Sequence, residues 1–168
     1  MLCDTPIRTL LRKYEYRRRL PHYQSDLKAI FVTFATYRRW ILPYVARTIC
    51  LEVCIFGDGK RFTLHGVVIM PDHVHIVWTP LFDENGFFSV AEIMQGVKSA
   101  SAHRINRELG RRGKVWQEES FDHVLRKEER IGDKLDYILV NPVRAGLVKR
   151  AEEYVWLWPR VAENGSMV

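Results

Sequence analysis

Cysteine is scarce in this chain, with three in 168 residues. That count supports no disulfide framework. Cys50 and Cys54 stand four apart in a stretch with helical periodicity and read as small buried apolar residues. A zinc site would ask for more Cys or His at tighter spacing. No apolar run approaches the ~20 residues of a membrane span, and the N-terminus carries no signal-peptide core. A membrane partner is therefore not expected, and a reducing cytoplasm is the expected compartment. Internal repeats and low-complexity linkers are also lacking.

What is present is the composition of one globular domain: 47% apolar and 27% charged residues. Lys and Arg outnumber Asp and Glu by 26 to 20, a net charge of +6 with a pI near 9.4. An anionic partner is favoured, of which nucleic acid is the commonest. Residues 1–20 form a basic arm with Arg8, Arg12, Lys13 and the run Arg17–Arg19, interleaved with Tyr14 and Tyr16. The domain proper is expected over 21–160, with a tail over 161–168.

Hydrophobic patterning predicts the elements. "LKAIFVTFAT" is β-branched and aromatic and reads as a first strand. "PYVARTICLEVCIF" places Val45, Ile49, Val53 and Phe56 at helical spacing behind Pro43 and ahead of Gly57-Asp58-Gly59. "RFTLHGVVIM" and "HVHIVW" read as a hairpin turning at Pro71-Asp72. "SVAEIMQGVKSASAHRINREL" opens with a capping box, Ser89 and Glu92, and carries the stripe Val90, Ile93, Met94, Val97 and Ile105. "KVWQEESFDHVLR" reads as a fourth strand and "KEERIGDKLDYILVN" as a helix ended by Pro142. The last apolar stretch, "YVWLWPR", is expected to pack back on the core. The order β-α-β-β-α-β-α predicts an α+β fold, an antiparallel sheet with helices packed on one face.

The stretch "GVVIMPDHVHIVW" puts two imidazoles one residue apart inside an apolar strand. Side chains alternate along a strand, so His73, His75 and Val77 share one face and Val74, Ile76 and Trp78 the other. The apolar trio suits the core. The histidines then face outward, about 7 Å apart at the backbone, close enough for both to reach one ion. Two ligands do not close a metal site.

Four blocks, "MPDHVHIVW", "IMQGVKSASAHRIN", "VWQEESFDHVLR" and "DYILVNPVRAGLV", occur in that order. Together they resemble the REP-associated tyrosine transposases, bacterial relatives of the single-strand DNA transposases of the HUH superfamily. The resemblance covers roughly residues 18–158 and implies a ferredoxin-like fold. It maps the family's metal-binding His-hydrophobic-His triplet onto His73 and His75, and its catalytic tyrosine onto Tyr137. A third metal ligand, four residues after that tyrosine, maps onto Asn141. The implied cofactor is divalent Mg²⁺ or Mn²⁺. The implied reaction is cleavage of single-stranded or hairpin DNA through a covalent 5′-phosphotyrosine, by a monomer or a homodimer. Tyr137 and Asn141 are at i and i+4, so both project from one side of a helix.

Lys98, Arg104, Arg126 and Arg144 are candidate DNA contacts by charge, and Trp116 is a base-stacking candidate for which core packing is the commoner fate. Two departures from the family pattern stand out. Asp72 occupies a position where many relatives have Asn, and "YVWLWPR" replaces a Trp-Ser-Ser segment. The competing reading is a non-catalytic module that binds single-stranded nucleic acid on the same fold. A metallohydrolase using the histidines alone would need more acidic ligands than the sequence supplies.

Overall fold

The computed structural model describes residues 28–125 and 131–159. The basic arm, Arg126 and the tail over 161–168 lie outside the described residues. Five strands form one antiparallel sheet: β1 (Ile30–Thr36), β2 (Phe62–Ile69), β3 (His73–Pro80), β6 (Trp116–Val124) and β7 (Leu157–Trp158). Their spatial order is β6-β1-β3-β2-β7. A two-stranded ribbon, β4 (Phe82–Asp83) and β5 (Gly86–Phe87), leads into α2 (Val90–Glu108). The other helices are α1 (Tyr44–Gly57) and α3 (Ile131–Arg144). Among the described residues no helix is long and apolar enough to cross a membrane.

The α+β antiparallel architecture is as expected, and strand alternation explains it. Ile30, Val32 and Phe34 of β1 join Val74, Ile76 and Trp78 of β3 and Leu64, Val67 and Ile69 of β2 in one buried layer. Helices α1 and α2 close that layer. The capping box of α2 forms as expected, with Ser89 Oγ accepting from Glu92 N–H and the Glu92 carboxylate accepting from Ser89 N–H. Trp116 belongs to this core, its indole N–H donating to Ser101 Oγ (2.9 Å). In α1 the buried stripe is Ala46, Ile49, Cys50, Val53 and Cys54, while Val45 and Phe56 point outward. The expected stripe was centred about one residue off. The small residues Ala46, Cys50 and Cys54 line the face turned to the core, and the two cysteines are free and buried.

Helix α3 does not share that face. It lies on the opposite side of the sheet, where Leu135, Ile138 and Leu139 pack with Phe31, Val68, Val77 and Leu157. Gly66 makes the approach possible: a β-carbon there would fall 2.5 Å from Leu135 Cδ2. The helices therefore occupy both faces, two on one and one on the other. The helix also continues past Pro142 to Arg144, where an end was expected. Pro142 is buried in the last turn and only forgoes the bond to the Ile138 carbonyl. Asn141 stays helical, its carbonyl accepting from Ala145 N–H (3.0 Å). The C-terminal segment returns to β2 as expected, held by Tyr154 Oη–H donating to the Ile69 carbonyl (2.7 Å) and by β7.

Candidate active site

The second face of the sheet is only half covered. Beside α3 lies a cleft of about 400 Å³ lined by Thr33, Arg39, His73, His75, Glu119, Phe121, Tyr137 and Asn141, among others. Strand β3 supplies the imidazoles. Their ring centroids are 4.8 Å apart and nearly perpendicular. Helix α3 supplies Tyr137, whose ring meets His75 edge-on at 5.3 Å and Phe31 at 5.8 Å. Residues about 60 positions apart in sequence thus share one cleft within a single chain.

Both imidazoles are oriented through Nδ1. His73 Nδ1–H donates to Asp72 Oδ1 (2.6 Å), and the other oxygen of that carboxylate accepts from Arg39 (3.2 Å). His75 Nδ1 lies 2.7 Å from Thr33 Oγ1, and Phe31 stacks on the His75 ring at 5.5 Å. With Nδ1 engaged, Nε2 is the nitrogen each ring has left for an ion, the arrangement that second-shell partners enforce at metal sites. Burial, with the neighbouring His73 adding to it, lowers the His75 pKa to about 4. The ring is neutral at pH 7, the form that binds a metal without first losing a proton.

No three His, Cys, Asp or Glu side chains among the described residues are grouped to hold an ion. The Asn141 amide, the third ligand that the family resemblance implies, lines the same cleft, as does Glu119. The donor set of two imidazoles and an amide fits a divalent ion, more readily Mn²⁺ than Mg²⁺. Tyr137 remains partly exposed at 38%, so its ring is open to the cleft rather than closed in the core.

The four basic candidates separate. Arg144, seven residues past Tyr137, has its guanidinium carbon 6.0 Å from the Tyr137 ring centroid. Lys98 and Arg104 are not among the residues lining the cleft. The Lys98 ammonium donates to the carbonyls of Gln117, Glu118 and Glu119 and to Ser120 Oγ, tying α2 to the edge strand β6. Arg104 pairs with Glu52 of α1. Arg126 lies outside the described residues.

Arg39, Thr33, Gln117, Glu119 and Phe121 were not singled out from sequence, yet they line the cleft. Alternation along β6 already groups 117, 119 and 121 on one face. Which strand they stand beside is a matter of pairing, because β6 runs next to β1, remote in sequence. Arg39 has no comparable signal. It sits in a turn where Arg38 and Arg39 both take left-handed backbone, φ 54° and 56°, a conformation few non-glycine residues adopt. Thr36 and Leu42 anchor that turn by donating their N–H groups to the carbonyls of Asp72 and Pro71.

Known proteins resemble this chain in sequence and in fold. A candidate REP-associated tyrosine transposase of Haemophilus influenzae is 29% identical over 104 residues, 58% of this chain and 57% of that protein. The REP-associated tyrosine transposase of Escherichia coli K12 is 26% identical over 100 residues, 60% of this chain and 53% of that one. The chain thus matches little more than half the length of these curated relatives. The solved structure of a REP-associated tyrosine transposase bound to a REP hairpin superposes with a TM-score of 0.64 at 24% identity, covering 85% of this chain and 81% of that one. This likeness is one of fold. The family described as Transposase IS200 like matches residues 23–126, a span that includes both histidines and stops before Tyr137. With well over half of its length matched in this way, the chain belongs to the IS200-like transposase family.

Proposed function

We propose that this chain cleaves and rejoins single-stranded DNA, with Tyr137 as the nucleophile and a hairpin-bearing strand as substrate. The observation that carries this reading is the apposition of Tyr137 and His75, ring centroids 5.3 Å apart, across a cleft that also holds His73 and Asn141. His73, His75 and the Asn141 amide would hold a divalent ion, Mg²⁺ or Mn²⁺, whose chemistry when bound is to polarise a phosphate oxygen.

The residues of the chain do the rest. Asp72 and Thr33 hold the imidazoles in one orientation through Nδ1. Arg39, which lines the cleft, and Arg144, whose guanidinium carbon lies 6.0 Å from the Tyr137 ring centroid, bring positive charge to the region where a phosphodiester would sit. A phenol has a pKa near 10 and is a weak nucleophile at neutral pH. Fixed alignment with the scissile phosphate is therefore what Tyr137 needs, and a helix packed on the sheet supplies a rigid base for it. In the reaction the phenol gives up its proton and forms an O–P bond. The P–O3′ bond breaks, and the departing oxygen is protonated to a 3′ hydroxyl. The 5′-phosphotyrosine keeps the ester available, so the reverse attack by a 3′ hydroxyl rejoins a strand without ATP.

The test is direct. Purified protein is incubated with single-stranded hairpin DNA and Mn²⁺, and a protein–DNA adduct that survives denaturation is sought. The adduct should form with the wild type and vanish in Tyr137→Phe. Cleavage that persists in that variant would sink the tyrosine mechanism, and binding without cleavage under any divalent ion would point to a non-catalytic module.

A further inference from the structure

We infer that Phe121 is a stacking platform for an unpaired nucleobase beside the scissile phosphate. The inference rests on the proposed single-stranded DNA substrate and adds a base-binding subsite to that cleft. Phe121 stands on the edge strand β6 and is 62% exposed. Its immediate same-face neighbours, Glu119 and His123, are polar. An apolar ring on such an edge carries a cost, since exposed edges with apolar side chains invite wrong pairing. The other phenylalanines each have an aromatic or cationic partner: Phe31, Phe34, Phe62, Phe82 and Phe87 pair with rings, and Phe56 and Phe88 lie under Lys60 and Arg61. Among the described residues Phe121 has no such partner, and its face lies open in the cleft.

Its position argues for what it takes. Phe121 pairs with Thr33 across β1, and Thr33 pairs with His75 across β3. The three form one row on one face, so Phe121 stands two strand spacings, roughly 10 Å, from His75. A base stacked on Phe121 would belong to a nucleotide adjoining a phosphate held at the histidines. Arg39 lines the same cleft and offers its guanidinium to the sugar–phosphate backbone. An aromatic ring beside a cationic groove is how single strands are held without reading sequence, because every base has a π-face.

The experiment uses the full chain with Tyr137→Phe, so that cleavage does not consume the probe. The probe is a fluorescent DNA hairpin with a single-stranded flank, in a series where one abasic nucleotide moves stepwise along the flank. Affinity is read by anisotropy. One abasic position should weaken binding about 5- to 150-fold when Phe121 is intact. With Phe121→Leu added, that position should lose its penalty, and with Phe121→Trp it should keep it. An abasic profile unchanged by Phe121→Leu would overturn the platform. The adduct assay with wild-type protein separates the two ideas. An adduct without a Phe121-dependent position defeats the platform alone, whereas a Phe121-dependent position without an adduct upholds the platform and defeats the cleavage reading.

Discussion

The two faces of the sheet are built from the same strands but to different ends. On one, Val74, Ile76 and Trp78 are buried with the apolar sides of α1 and α2. On the other, one residue out of step, His73 and His75 face a cleft that α3 covers only in part. The first face has little room for polar groups: the Trp116 indole donates to Ser101, and the Trp78 indole N–H is buried there without a hydrogen-bond partner among the described residues. The second keeps a partly exposed tyrosine, a buried neutral imidazole and one arginine, Arg39, in a single cleft, with Arg144 beside the tyrosine ring. The first face holds the larger buried apolar cluster, so the second can also hold groups that would weaken a core.

Four experiments would break or sharpen that contrast. The largest effect is expected from Tyr137→Phe, which should abolish the covalent DNA adduct and leave the urea midpoint unchanged, since only a hydroxyl at the cleft is lost. Ile76→Ala, on the packed face of the same strand, should do the opposite. It should lower stability by about 2–5 kcal/mol in urea denaturation, the usual cost of emptying a core position. Equal stability losses in the two variants would erase the distinction between the faces.

The third experiment concerns pH. The folded-state pKa of His75 is about 4, against 6.5 for an unperturbed His. As pH falls below 6.5 the unfolded chain takes up a proton there that the folded chain refuses. Stability should therefore decline between pH 6.5 and 4, by about 3 kcal/mol for a shift of that size. Burial of His65 pushes its pKa the same way, so the slope belongs to more than one group. His75→Gln should flatten the His75 share of the metal-free stability profile, and a profile identical to wild type would show that this ring titrates normally.

The smallest effect compares charges. Arg144→Gln should weaken binding of single-stranded DNA and reduce the log–log salt slope by about 0.7, one phosphate contact. Arg104→Gln, whose partner is Glu52 on α1, should leave the slope unchanged. The reverse result would move the DNA path to the side of α1 and α2.

How much of this was legible follows from the range of each physical signal. The hairpin at Pro71-Asp72, the capped start of α2 and the shared face of His73 and His75 rest on local periodicity and capping, and they form as read, but that face is not open as expected, because α3 packs on it and His75 is buried. The continuation of α3 through Pro142 ran against a local rule, because packing of the last turn outweighs one missing hydrogen bond. Arg39 was invisible for a related reason: no residue type announces a left-handed turn of two arginines, which nearby hydrogen bonds from Thr36 and Leu42 hold in place.

By itself the amino-acid sequence determined the strand alternation that turns the histidines away from the core. It also determined the i, i+4 spacing that sets Tyr137 and Asn141 on one side of a helix. Both are consequences of backbone periodicity, which acts over a few residues. Only the tertiary structure decided that α3 crosses to the histidine face, over Gly66, and that β6 lies beside β1. Those choices depend on which apolar surfaces can be buried together across long stretches of chain. They bring Tyr137 to within 5.3 Å of His75, ring to ring, and leave Phe121 open beside them.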